Sequence, residues 1–163
     1  MSMIGNLLAV SAERLAAIVQ QPSLVEALVY PEDGAEKADH LDIDKAWHAI
    51  HYVLNGDAWE GEEPFSLVVL GGEEIGEDVG YGPARFLKPD QVKAVASALS
   101  SLDLQDFSDR FDPSAMDAAE IYPQSWGEGG SEEREYLLDY FKQLSSFYQS
   151  AAQRNDAVLL YLN

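Results

Sequence analysis

The sequence predicts an α+β fold, a small sheet of few strands covered by about six helices. Three observations predict it. Apolar runs at residues 4–10, 65–70 and 157–162 read as strands. Amphipathic segments at helical spacing fill most of the remainder. The two kinds of element do not alternate as βαβ units would. At 163 residues, with no linker, repeat or low-complexity tract, the chain reads as one domain over residues 1–163. A chain of that size buries about 70% of the surface its unfolded form exposes. Its 47% hydrophobic content is enough for a core without staples.

The elements follow in order. Residues 4–10 are short, apolar and β-compatible. Ser11 is placed to cap a helix running to Gln20, with Glu13 in the first turn where the dipole favours an acid. Pro22 opens a second short helix, residues 23–30. Residues 31–40 are polar and turn-rich. Asp42 is read as the cap of the next helix, and Asn55-Gly56 as its left-handed end. Ile43, Ala46, Trp47, Ile50, Val53 and Leu54 share its apolar face. The run 65–70 reads as a buried strand. Pro89 starts an amphipathic helix carrying Val92, Val95, Ala96, Leu99 and Leu102. One or two short helices, broken at Asp112-Pro113, follow over 103–116. Residues 121–130 are irregular. Ser131 is read as the cap of the longest helix, whose stripe is Leu137, Phe141, Leu144, Tyr148 and Ala151. Residues 157–162 close the chain as a strand.

Five of the twelve glycines fall between Gly71 and Gly82. Such a cluster means that the backbone turns sharply or approaches something closely. Residues 71–86 read as a loop, anchored by Pro83 and by the apolar Ile75, Val79 and Phe86. Gly80-Tyr81-Gly82 is only a fragment of a dinucleotide fingerprint, since it opens no helix within a βαβ unit. The segment has no serine and hence no nucleophile elbow. Its acids Glu73, Glu74, Glu77 and Asp78 would repel phosphate and are not at calcium-loop spacing.

The formal net charge is −19. Nucleic-acid binding needs a basic patch that displaces counterions, and none is visible. Anionic membranes are disfavoured for the same reason. From Ala46 to Ala84 there is no Lys or Arg but there are eight acids: Asp57, Glu60, Glu62, Glu63, Glu73, Glu74, Glu77 and Asp78. This reads either as a solvated face or as a surface for a basic protein. The absence of cysteine excludes disulfides, thiolate metal sites and Cys nucleophiles. The start of the chain has no basic residue ahead of its apolar stretch, the reverse of a signal peptide, and no apolar run reaches the ~20 residues a bilayer demands. A cytoplasmic location is the expectation.

Several segments resemble the YfbM-like family of uncharacterised bacterial proteins. They are Met3-Ile4-Gly5-Asn6-Leu7-Leu8, the run from Leu41 to His51 containing Asp44-Lys45-Ala46-Trp47-His48, and the loop Ile75 to Arg85 containing Gly80-Tyr81-Gly82-Pro83-Ala84-Arg85. Ile121-Tyr122-Pro123 with Trp126, and the ending Ala157 to Leu162, match as well. The resemblance covers nearly the whole chain. It implies a single-domain α+β fold from a bacterial cytoplasm. It implies no activity, and no catalytic residue is carried over.

Two groups of residues have the right chemistry for a site. Asp44, His48 and His51 lie at i, i+4 and i+7 and share one helix side. They suit a first-row metal, an acid–base pair, a polar pocket wall or plain structural hydrogen bonding. No third strong ligand completes a metal set, so no metal or other cofactor is expected. In the glycine segment Arg85 is the only base near the acids. It is suited either to clamping a carboxylate ligand or to pinning the loop by pairing with Glu77 or Asp78. Trp47, Tyr81, Tyr122 and Trp126 are aromatics in or beside irregular segments, with core packing the expected role of Trp47. If a ligand site exists, it is expected where Asp44, His48 and His51 meet Asp78, Tyr81 and Arg85. Three functions remain: a non-enzymatic domain that binds a basic partner through its acidic face, a small-ligand binder or enzyme, and an oligomeric structural protein. The first is preferred, because catalytic sites display more convergent chemistry than this; toxin-neutralising immunity proteins are one example of such a domain.

Overall fold

The two ends of the chain form the centre of the sheet. β1 (Gly5–Val10) pairs antiparallel with β5 (Ala157–Leu162) along its whole length, from Gly5 opposite Leu162 to Val10 opposite Ala157. In this computed structural model residues 2–32 and 39–163 are described. Among them five strands make one antiparallel sheet in the order β2-β1-β5-β4-β3, where β2 is His40–Asp42, β3 is Glu73–Asp78 and β4 is Pro83–Leu87. Seven α-helices accompany it: α1 (Ala12–Gln20), α2 (Leu24–Val29), α3 (Trp47–Asn55), α4 (Pro89–Ser101), α5 (Leu104–Asp109), α6 (Pro113–Ala118) and α7 (Ser131–Gln153). The fold is α+β, as the sequence predicts.

Both faces of the central strands are covered, which is why β1 and β5 are apolar at consecutive positions. Leu8, Val10, Ile75, Ala84, Phe86, Leu159 and Tyr161 meet Leu15 and Ile18 of α1 and Val25 and Val29 of α2. Leu7, Ala9, Leu87, Val158 and Leu160 belong to the larger core with α3, α4 and α7. The helical stripes fall where the spacing puts them. Leu137, Phe141, Leu144, Tyr148 and Ala151 of α7 are buried, as are Val92, Val95, Ala96 and Leu99 of α4. Ser11 accepts the Arg14 N–H at 3.1 Å and caps α1. Gly56 ends α3 at φ 72°. No helix among the described residues is long and apolar enough to cross a membrane.

Four expectations need correction. The run 65–70 is not a strand: Phe65–Leu67 is a 3₁₀ turn that carries Leu67, Val68 and Val69 into the larger core. Side chains serve its carbonyls in place of a ladder, with Tyr148 Oη donating to Val68 O at 2.7 Å and Arg85 Nη1 to Val69 O at 3.2 Å. The segment 71–86 is not a loop but the β3–β4 hairpin, with Glu73 opposite Phe86 and Glu74 opposite Arg85. Its glycines make the strand geometry work. At Gly72 (φ 96°) a Cβ would lie 2.6 Å from Phe86 O, and Gly76 (φ 77°) sits at the register shift between Ile75 and Asp78. Asp42 does not cap α3; it ends β2 and accepts the Asp44 N–H at 2.7 Å, and a 3₁₀ turn, Asp44–Ala46, precedes the helix. Ser131 is the first residue of α7 and makes no capping bond; Gly130 precedes it at φ 65°. Of the turn-rich segment expected at 31–40, residues 33–38 lie outside the described residues.

Candidate functional site

The two groups of residues singled out by the sequence have opposite surroundings. His48 and His51 are on α3, only 2% and 1% exposed. His48 Nδ1 accepts the Tyr122 N–H at 2.8 Å, so its proton is on Nε2, which donates to Ala58 O at 2.9 Å. His51 Nε2 donates to Glu60 O at 3.2 Å, and Asn55 Nδ2 lies 3.4 Å from its Nδ1. Burial pushes both imidazoles below their ordinary pKa, against the opposing pull of the carbonyls of Ala58 and Glu60. These are neutral, satisfied histidines. Asp44 turns away from them: its Oδ2 accepts the Tyr136 hydroxyl of α7 at 2.8 Å. Among the described residues no three His, Asp or Glu side chains are grouped so as to hold a metal.

What the histidines do hold is the segment 57–60. Asp57 Oδ1 accepts the N–H groups of Trp59 and Glu60, each at 2.9 Å, and these bonds hold its carboxyl below the usual range. The His48 and His51 bonds fasten the carbonyls of the same turn. Trp59 is thereby set on the His48 ring, centroids 4.4 Å apart, with Trp47 behind at 5.0 Å from His48. Trp59 nevertheless remains 64% exposed.

Trp59 forms one wall of a groove of about 320 Å³ whose other walls include Leu70, Glu74, Tyr81, Pro83 and Arg85. Tyr81, 41% exposed, is positioned by its N–H, which donates to Leu162 O at 3.1 Å at the end of β5. Arg85 lies opposite Glu74 across the hairpin. Its Nη1 donates to Val69 O at 3.2 Å and Gly71 O at 3.0 Å, so it pins the 65–71 segment through backbone carbonyls rather than pairing with Glu77 or Asp78. The register explains the difference: Asp78 faces Pro83, beyond the bulge. Among the described residues Arg85 has no carboxylate within ion-pair distance. Burial pushes its pKa down, while Tyr148 and Glu74 act in the opposite sense.

Asp78 belongs elsewhere. Its Oδ1 accepts the Gly80 N–H at 2.7 Å and shapes the hairpin turn. With Glu77, Gly76, Pro22, Ser23 and Glu26 it lines a second, wider cleft between β3 and α2, about 500 Å³ in volume. Tyr81 and Arg85 therefore share a groove, His48 and His51 support one of its walls from behind, and Asp44 and Asp78 lie apart from it. Two groove residues, Trp59 and Glu74, were not among the candidates. An aromatic in a polar stretch between Asp57 and Glu60 was a readable signal for Trp59. Trp126 is buried, and Tyr122 stacks on Trp47 at 5.6 Å, so neither is a free aromatic surface.

A sheet with the first and last strands at its centre, helices on both faces and a groove on the hairpin side define a small α+β domain. The family model described as domain of unknown function DUF1877 matches residues 1–161, and the chain belongs to that family. It is 28% identical to Protein YfbM of Escherichia coli (strain K12) over 169 residues, covering 97% of each chain. The crystal structure of YfbM, a protein of unknown function from Escherichia coli, shares the fold with a TM-score of 0.74, at 23% identity and over 98% of this chain and 99% of that one.

Proposed function

We propose that this protein is a non-enzymatic, cytoplasmic binding domain that takes hold of a basic segment of a partner protein at the Trp59–Tyr81 face. One observation carries the reading. The most exposed large aromatic of the described chain, Trp59, stands in the stretch that has eight acids and no Lys or Arg. All eight acids are exposed, and among the described residues only Glu73 has an ion pair, a 3.8 Å contact with Lys88 between two largely exposed side chains. Such a contact contributes little. Unpaired acids around fixed aromatics suit cationic side chains, through charge and through the ring faces. Acidity argues against nucleic acid, and equally against self-association through this face, since each copy brings a net charge of −19. An enzymatic reading loses its imidazole base: both nitrogens of His48 are occupied, and among the described residues no His, Ser or Lys lines the groove.

The test is a titration of ¹⁵N-labelled protein with a lysine-rich peptide, followed at the Trp59 indole N–H. Salt-sensitive shifts confined to Trp59, Tyr81 and the acidic stretch, lost in Trp59→Ala, are expected. Shifts of equal size with a glutamate-rich peptide, or none with lysine, would overturn the reading.

A further inference from the structure

The groove contains one group that a purely cation-binding surface does not need: Arg85. We infer that the groove receives the free C-terminus of the basic partner, with the terminal carboxylate on Arg85; this rests on the reading just proposed. A guanidinium has five N–H donors. Nη1 uses two of them on Val69 O and Gly71 O. The other three, on Nε and Nη2, have no partner among the described residues. No fully buried side-chain nitrogen there lacks a partner, so neither Nε nor Nη2 is fully buried, and Arg85 lines the groove. The Nε–Nη2 edge is a fork that matches a carboxylate bidentately. It is already oriented, because the Nη1 bonds hold the plane, so little side-chain freedom is lost on binding. Burial also disfavours the charged guanidinium, with Tyr148 and Glu74 opposing, and an arriving carboxylate adds to that opposition.

The surroundings select what carries that carboxylate. Glu74 shares the groove with Arg85, and Asp57 and Glu60 flank its Trp59 wall along the chain. A bare anion meets that field with the wrong sign. A chain end whose preceding residues are Lys or Arg meets it with the right one: carboxylate on Arg85, cations on Glu74 and the rim. Trp59, Tyr81, Leu70 and Pro83 supply apolar walls for the last side chain. A volume of about 320 Å³ suits one or two residues rather than a folded surface.

The experiment uses four hexapeptides, each measured by calorimetry and by Trp59 shifts. The first is acetyl-Lys-Lys-Ser-Lys-Ser-Phe with a free carboxylate, the second is the same peptide amidated, and the other two replace lysine by glutamine. Free phenylalanine and free lysine are further arms. The free-acid basic peptide is expected to bind at least tenfold more tightly than its amide. Equal binding of the two basic peptides overturns the inference and leaves the basic-partner reading intact. Equal binding of the basic and glutamine acids keeps the carboxylate site and overturns the basic-partner reading. Binding of free amino acids as tight as the basic acid overturns the chain-end assignment, and no binding by any probe overturns both. Arg85→Lys should abolish the acid–amide difference. Because that variant also disturbs the Val69 and Gly71 bonds, Glu74→Gln is the second: with Arg85 untouched, it should tighten the glutamine acid severalfold and weaken the basic amide. An unchanged profile in Glu74→Gln counts against the inference.

Discussion

His48 and Arg85 are both polar groups set into apolar surroundings, yet they differ in what they have left to offer. His48 has both ring nitrogens engaged, by Tyr122 N and Ala58 O, and two aromatic rings packed against it. Arg85 has one nitrogen engaged and an open edge over a groove. Recognition capacity follows unspent hydrogen bonds. A satisfied buried group holds structure, whereas a fixed, half-used one is available to a ligand. Here the first also supports the second, because His48 and His51 fasten the turn that presents Trp59.

Among substitutions, the largest effect should come from the satisfied group. His48→Ala strands Tyr122 N–H and Ala58 O and removes the ring beneath Trp59. A loss of about 3 kcal/mol in chemical denaturation is expected, since each stranded buried group costs about 1–3 kcal/mol. A loss below about 1 kcal/mol, the ordinary size for a point change, would mean that His48 is not a structural linchpin.

Next in size is the hairpin that carries Arg85. Gly72→Ala should cost about 2 kcal/mol, from left-handed backbone and a close approach to Phe86 O. Gly82→Ala, at φ 101° but with open space around it, should cost about 1 kcal/mol. Equal melting temperatures for the two variants would refute the role given to the Phe86 contact.

The pH dependence sharpens the same contrast. His48 and His51 have pKa values below the 6.5 of the unfolded chain. The unfolded state therefore binds more protons as pH falls. Their neutral forms contribute fully above pH 6.5, and stability should decline as pH drops below that value towards the lowered folded values. Melting temperatures measured from neutral to mildly acid pH check this, and the decline should be shallower in His51→Gln. A stability that rises on acidification through that range would contradict the buried neutral assignment.

The smallest stability effect should be at the groove itself. Trp59→Ala removes a side chain 64% exposed and should shift stability by no more than about 0.5 kcal/mol while abolishing peptide binding. A large loss of stability with binding retained would reverse the roles assigned to the two regions.

Much of the architecture was legible in the residues. Helix stripes repeat every three or four positions, so α4 and α7 could be read residue by residue. β1 and β5 announced themselves as short apolar runs. The hairpin did not. β3 is an edge strand, and only its Ile75 is buried, so no alternation marks it, and its glycines resemble a loop. The run 65–70 misled for the opposite reason. Apolar residues buried on every side look alike whether the chain extends or turns, and here the choice depended on Tyr148 and Arg85 reaching the carbonyls.

The candidate site divides in the same way. Residue type and spacing identified His48, His51, Tyr81 and Arg85 as chemically distinctive, and the stretch from Ala46 to Ala84 as acidic without counter-charge. Composition and periodicity also determined the net charge and the α+β class, because both are local properties of the chain. Which histidine nitrogens are occupied, which edge of Arg85 is open, and that Trp59 faces Tyr81 across one groove were decided only by tertiary structure. A side chain's remaining hydrogen-bonding capacity is set by partners far away in sequence. Tyr122 lies 74 residues from His48, and Val69 lies 16 from Arg85. No reading of a residue's neighbours along the chain contains them.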